Sequence, residues 1–402
     1  MVSVAQKRRR MSNLDSLSNV VLLCGRGAKP SIDFLEQKIA ERVEREFPDP
    51  SVEESEYLTE LKGTSLKFAD RVIKNQGDKE IFIQIGQNVR RRDVHLFHKF
   101  SNVNEDLMEL LIFGDALKRA DVESVTLYLP YMPYQRQDKK DDGRVPITAK
   151  LLFNLLQASY GNRLRRIVTA DLHARQAEAH FEGPVTPLSA IPEFAAYYRN
   201  LFAAEFTESE PPVYIVSPDS GGSKRAQHLA KLLGVQYVVL DKKRTGHSKA
   251  DTTLYVPVDV SGMKTILVDD MVDSGSSLVG EYENQKIGPV QYLTSLNSDV
   301  HICATHRLLS QKNGIAAEDR FRQAGAHALF TDSLPEKTEG YYDSHKDWMS
   351  VLSLDHGLAK AFYCGQVGES ISAFLRNRED RLKAERLDFV LRGDGARTLD
   401  LG

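Results

Sequence analysis

The sequence predicts an α/β protein made of two similar halves, each a mostly parallel sheet flanked by helices. Three observations lead there. Short β-branched runs alternate with amphipathic stretches along the 402 residues, the pattern of sheets covered by helices. That length suits two or three domains better than one. Finally, NVVLLCGRGAKPS from Asn19 and VYIVSPDSGGSKR from Val213 share one form: a strand, a glycine-bearing turn, a lysine and a helix.

In chain order, Asn19 to Cys24 is an apolar run halted at Gly25 and Gly27, and Ser31 to Val43 follows with helical spacing. Further strands are expected at Glu80–Ile85, Val94–Phe97, Val125–Leu129, Arg166–Ala170, Val213–Ser217, Tyr237–Leu240, Thr265–Asp269 and His301–Ala304. Between them, helices are expected at Asn104–Arg119, Ile147–Ser159, Lys224–Leu233 and Glu318–Ala324. A boundary near residue 190 divides an N-terminal domain, 18–190, from a C-terminal one, 191–344, with 345–376 packing back on the first. Residues 1–17 carry Lys7, Arg8, Arg9 and Arg10 without the apolar core a secretory signal needs, so a disordered basic leader is expected. Phe47 to Thr64 is acidic, holds Pro48 and Pro50, and reads as a surface insertion. Residues 377–402 form a charged tail with one amphipathic helix expected over Leu382–Leu391.

Composition narrows the function. The formal charge of −3, with 27% charged residues, argues against a nucleic-acid binder, which shows a strongly basic face. Cys24, Cys303 and Cys364 lie far apart with no CxxC spacing. They give neither a disulfide framework nor a thiolate zinc site, which fits a reducing cytosol. No apolar stretch reaches the ~20 residues of a spanning helix, and a cytoplasmic protein is expected.

The most specific segment is ILVDDMVDSGSSL, Ile266 to Leu278. A buried strand ends in two adjacent carboxylates, then small residues and glycine, then an expected helix start. Ligands of open α/β sheets sit at the carboxyl ends of strands. There Asp269 and Asp270 can accept hydrogen bonds from neighbouring sugar hydroxyls. Asp273, Ser274, Gly275, Ser276 and Ser277 offer backbone N–H groups and hydroxyls suited to a phosphate. Paired carboxylates after a buried strand are costly without such a role. The segment resembles the phosphoribosyl-pyrophosphate signature shared by phosphoribosyltransferases and ribose-phosphate pyrophosphokinases.

Other segments choose between those two. LPYMPYQRQDKKDDGRVPITAK, Leu129 to Lys150, is a polar loop that resembles the ATP-binding loop of the pyrophosphokinases and is absent from the transferases. The resemblance implies nucleotide contacts for Arg136 and Gln137, with Asp138 beside them. TADLHARQAEAHF, from Thr169, matches the family's DLH-x-x-Q element, which implies that His173 helps hold magnesium and the nucleotide phosphates. SPDSGGSKR, from Ser217, supplies Asp219 as a second carboxylate near the metal, while Lys224 and Arg225 are expected to cap and solvate the next helix. LDKKRTGHSKAD, from Leu240, has the cationic, flexible composition of a mobile lid. In the resembled family, a lysine and an arginine two residues later act on the transferring group, which implies Lys242 and Arg244 here. LKFAD and EIFIQIGQNVR resemble the adenine-binding element, implying Phe68 stacked on the base and Asp70 and Glu80 at the adenosine of a neighbouring subunit. Arg71 to Lys79 interrupt what is contiguous in the family.

The resemblance spans residues 19 to 376 and implies two phosphoribosyltransferase-like domains, Mg2+ as cofactor, ATP and ribose 5-phosphate as substrates, and dimers assembled into hexamers. No G-x-x-x-x-G-K-S/T motif is present, so a P-loop is excluded. The implied reaction moves the pyrophosphoryl group of ATP to the sugar 1-hydroxyl, by positioning and charge neutralisation. Ser276 and Arg307 stand where the family carries glycine, which opens a larger acceptor such as ADP-ribose as an alternative. A non-catalytic regulatory subunit is a second alternative, and intact Lys242, Arg244, His173 and Asp219 argue against it. A phosphoribosyltransferase is a third, and it gives no reason for Arg136 and Gln137.

Overall fold

The computed structural model describes residues 12–45, 52–63, 66–75, 77–244, 252–281, 286–371, 373 and 391–392. They form two compact units, the described residues of Met1–Leu188 with Leu354–Phe374, and those of Ser189–Ser353 with Leu375–Gly402.

In the first unit a parallel sheet has the order β1-β4-β5-β6-β7, from β1 (Val20–Cys24), β4 (Asp93–Phe97), β5 (Ser124–Leu129), β6 (Leu164–Ala170) and β7 (Val185–Leu188). Every residue of β1 is buried, which is why it reads as a continuous apolar run rather than an alternating one. The Val103–Arg119 and Thr148–Tyr160 helices pack on one another and bury Leu110, Phe113, Leu152 and Leu156.

Several expectations are corrected here. The leader is not unstructured throughout: residues 12–18 are helical, and Leu14 and Leu17 are fully buried. An apolar pair three apart gives one turn a face to bury, and Gln366 donates from Nε2 to the Ser16 carbonyl at 2.8 Å. The acidic insertion contains a helix, Val52–Gly63, that buries Leu58 and Leu61. Arg71 to Lys79 belong to a hairpin of β2 (Arg71–Asn75) and β3 (Ile81–Ile85), with Arg71 paired to Ile85 and Asn75 to Ile81.

The second unit holds a seven-stranded sheet in the order β18-β17-β16-β15-β12-β8-β9. Its members are β8 (Val213–Ser217), β9 (Gln236–Val239), β12 (Lys264–Val272), β15 (Asp299–Arg307), β16 (His327–Thr331), β17 (Met349–Leu352) and β18 (Leu391–Arg392). All pairs are parallel except β17 with β18. Residues 345–353, expected on the first domain, therefore include a strand of the second sheet, and the return to the first unit begins at Leu354. Most of the helix expected at Leu382–Leu391 lies outside the described residues, while Leu391 pairs with Leu352. The chain passes from β8 to β9 on one side and from β12 to β15 on the other. The carboxyl ends of β8 and β12 thus flank a topological switch point, where such sheets bind ligands.

Candidate active site

At that switch point β12 is longer than its sequence suggests and carries both carboxylates inside the strand. Asp270 is 3% exposed, and its N–H donates to Asp269 Oδ1 at 2.8 Å. Arg225 Nη1 lies 3.4 Å from Asp270 Oδ1 and 4.0 Å from Asp269 Oδ1. Arg225 therefore faces the carboxylate pair instead of solvating its helix, a correction with a plain cause: two adjacent carboxylates, one of them buried, need a counter-charge. Burial and the neighbouring Asp270 push the Asp269 carboxyl up to about 7, and Arg225 offsets only part of this.

Across the switch point, Asp219 Oδ1 accepts N–H groups of Gly221 at 2.8 Å and Gly222 at 3.1 Å. Its other oxygen takes no partner among the described residues. A hard oxygen at a loop tip suits magnesium. A Cβ on Gly222 would lie 2.7 Å from Ser217 Oγ, so a side chain there would displace that hydroxyl from the Asp219 carbonyl it bonds.

The loop after β12 forms a nest. Gly275 has φ +72°, and the backbone N–H groups of residues 274–277 have no protein acceptor among the described residues. Ser274 and Ser276 hydroxyls lie 3.1 Å apart. The helix expected to open after Ser277 does not form there. Hydrogen-bonded turns over 276–279 lead instead into a short hairpin of β13 (Gly280–Glu281) and β14 (Lys286–Ile287), and the next helix is Pro289–Ser295. Gly288 permits this detour: a Cβ there would sit 2.3 Å from the Gly280 nitrogen.

Arg307, one of the two departures behind a larger acceptor, is a core residue. It is 2% exposed, donates to the Leu334 and Pro335 carbonyls at 3.1 and 2.7 Å, and lies 4.7 Å from the Tyr342 ring centroid.

In the first unit, β5 ends at the loop expected to hold a nucleotide. Gln137 donates its N–H to the Tyr134 carbonyl at 2.9 Å, and its side-chain oxygen accepts the Thr148 hydroxyl at 2.5 Å. Arg136 is exposed, and Asp138 is half-buried with its carbonyl 3.3 Å from His180 Nε2. The exposed His173 is fixed at its backbone: its N–H donates to Oε1 of Gln135 at 2.8 Å. Gln135 is 3% exposed and was missed in the sequence, since an amide beside an Arg-Gln pair carries no distinguishing pattern. The structure thus joins the Arg136–Asp138 loop to His173.

It does not join all three adenine candidates. Phe68 is half-buried, edge-on to Phe97 at 5.5 Å between centroids. Asp70 precedes β2, and its carbonyl accepts from Gly86 at 2.7 Å. Glu80 lies at the opposite end of the hairpin, roughly 15 Å away along the ladder.

Lys242 and Arg244 fall in β10 (Asp241–Arg244), which pairs antiparallel with β11 (Thr252–Tyr255), Lys242 opposite Leu254 and Arg244 opposite Thr252. The first residues of the expected lid are thus a ladder, and 245–251 lie outside the described residues. No helix among the described residues is long and apolar enough to cross a membrane.

Residues 31–159 match the family described as the N-terminal domain of ribose phosphate pyrophosphokinase, and 185–281 match the phosphoribosyl transferase domain. The ribose-phosphate pyrophosphokinase of Fusobacterium nucleatum is 34% identical over 314 residues, 77% of this chain and 91% of that protein. The Campylobacter jejuni protein of the same name is 36% identical over 277 residues, 68% of this chain and 82% of that one. Phosphoribosylpyrophosphate synthetase from Mycobacterium smegmatis superposes with a TM-score of 0.67 at 30% identity, covering 89% of this chain and 99% of that one. With both halves matched and relatives at 30% identity or more covering most of both chains, the chain belongs to the ribose-phosphate pyrophosphokinase family.

Proposed function

We propose that the chain transfers the pyrophosphoryl group of ATP to the 1-hydroxyl of ribose 5-phosphate, giving phosphoribosyl pyrophosphate and AMP. The observation that carries this reading is the carboxylate pair Asp269–Asp270, held by Arg225 at the switch point and followed by the nest whose 274–277 N–H groups have no acceptor among the described residues. A diol acceptor and a phosphate acceptor so placed match a ribose that carries its phosphate on C5. The acceptor O1 bonds to the β-phosphorus, the bond from that phosphorus to the α,β-bridging oxygen breaks, AMP leaves with the electron pair, and the hydroxyl proton passes to water. Arg136, Gln137 and Asp138 bind the nucleotide beside His173, with Phe68 and Asp70 at the base. Glu80 is assigned there by resemblance alone. Lys242 and Arg244 stabilise charge on the transferring group, which by analogy with arginine fingers is worth about 10³–10⁵ in rate.

Magnesium, when bound, neutralises phosphate charge. Asp219 supplies a hard oxygen for it. His173, a softer donor than magnesium prefers, would help hold the nucleotide phosphates beside it. Arg307 lends no support to ADP-ribose as the acceptor, because its guanidinium is used inside the core. Met108, Leu151 and Leu155 remain exposed on two adjacent helices, which supports self-association; light scattering on a sizing column tests it, and a monomer at all concentrations contradicts it.

The deciding experiment measures AMP release with ATP, magnesium and a panel of ribose phosphates. Turnover with ribose 5-phosphate is expected, and turnover with ADP-ribose alone would reassign the acceptor.

A further inference from the structure

We infer that Lys312 is a phosphate-binding residue specific to the sugar-phosphate side of this site, and that it sets the affinity for the 5-phosphate dianion. The inference rests on the reading of 269–277 as the ribose-phosphate loop. Lys312 Nζ reaches 3.1 Å from Ser276 Oγ, which in turn lies 3.1 Å from Ser274 Oγ. A cation is thereby brought to the rim of the nest whose N–H groups are open.

The position of this lysine is built into the fold. After β15 the chain runs beside the loop: the N–H groups of Leu308 and Leu309 donate to the Val272 carbonyl at 2.9 and 3.1 Å, and Ser310 N–H donates to that of Asp273 at 3.2 Å. The Ser310 hydroxyl also donates to the Asp273 carboxylate. The chain then reverses at Lys312-Asn313-Gly314-Ile315. Lys312 N–H donates to the Ile315 carbonyl at 3.0 Å and Ile315 N–H returns to that of Lys312 at 3.1 Å. Asn313 at φ +53° and Gly314 at φ +78° give the left-handed pair of a type I′ turn, for which Asn-Gly is the preferred sequence. Arg320, 2% exposed, clamps the turn from below by donating to the Lys312 carbonyl at 2.8 Å.

The chemistry explains the need. Phosphate loops of this type gain from a long helix whose N-terminal dipole faces the anion. Here the β13–β14 hairpin intervenes, so turns replace that helix. A lysine ammonium, a compact point charge with three donors, supplies the missing positive potential to a dianionic monoester. It also gives Ser276, the other departure from the family's glycine, a partner on the protein side.

The test is ribose 5-phosphate binding by calorimetry without ATP, followed by steady-state kinetics, for the full chain and for Lys312→Ala and Lys312→Arg. Lys312→Ala is expected to weaken ribose 5-phosphate binding and raise its KM by about 10- to 100-fold, with the KM for ATP and kcat within about threefold, and Lys312→Arg to recover most of the loss. Rising salt should narrow the gap between wild type and Lys312→Ala. Wild-type binding left unchanged by Lys312→Ala overturns the inference, as does a variant whose ATP and sugar KM values rise together. A wild type that binds no ribose 5-phosphate at all fails at the earlier step, the reading of the loop itself.

Discussion

Asp269 shows how one residue ties function to stability. Its folded-state pKa, pushed up to about 7 by burial and by Asp270, lies above that of an unfolded carboxyl, near 4. Stability from this group is therefore full below about pH 4 and is lost as pH rises through about 7. Above that, two adjacent charges face one arginine. Asp269→Asn should raise the melting point at pH 8 and leave it nearly unchanged at pH 4, while sugar binding is lost. With the side chain 27% exposed, solvent screening limits the gain to about 1–2 kcal/mol. A variant no more stable than wild type at pH 8 would show that the pair is not strained. Lys242→Ala belongs to the same scale: turnover should fall by about 10³ or more with ATP binding intact, and a variant at the parent rate would remove the lid assignment. The signature residues were legible because their chemistry is local. Arg225 and Lys312 were not, since what defines them is a contact with β12 or the loop after it, made across the fold and invisible in linear spacing.

At the scale of elements, β1, β4, β5, β8 and β12 could be read because buried parallel strands are continuous apolar runs. Of the hairpin, β3 was legible as the strand expected at Glu80–Ile85, while β2 was readable only as an interruption, because RVIKN mixes charge and apolar residues without a buried face. The missing helix after Ser277 is the more instructive error. SSLVGEY has a helix-like start, yet the chain turns at Gly280, φ +103°, and Gly288 lets β14 cross close behind it. Gly288→Ala should destabilise the second unit by about 1–3 kcal/mol, as overpacking does, and should raise the KM for ribose 5-phosphate by disturbing the turn beneath the nest. Denaturant titration and kinetics check both, and a neutral variant would mean that the close approach relaxes freely.

For the whole molecule, each unit holds a histidine whose surroundings disfavour its proton, His95 fully buried and His327 half-buried. Burial lowers both His95, in the first unit, and His327, in the second, to about 4. These are depressed pKa values, so the unfolded chain binds more protons between about pH 6.5 and 4. Stability is full above that window and falls as pH drops through it. Each histidine accounts for about 2 kcal/mol between pH 7.5 and pH 5, partly offset by the opposite slope from Asp269. The denaturation midpoint of the first unit should therefore fall on acidification, whereas in the second unit Asp269 opposes His327, and a flat profile for the first unit would contradict the burial of His95. The pairing of β17 with the second sheet, which moved the domain return to Leu354, was beyond sequence reasoning because short strands such as MSVL acquire their partners only through tertiary contacts.

Phosphorus NMR of a reaction containing ATP, magnesium and ribose 5-phosphate tests the central claim most directly. Equal amounts of AMP and a sugar bearing a diphosphate on C1 are the expected products. ADP with a sugar that has gained a single phosphate on C1, or ribose 5-phosphate left unconsumed while ATP is hydrolysed, would contradict it.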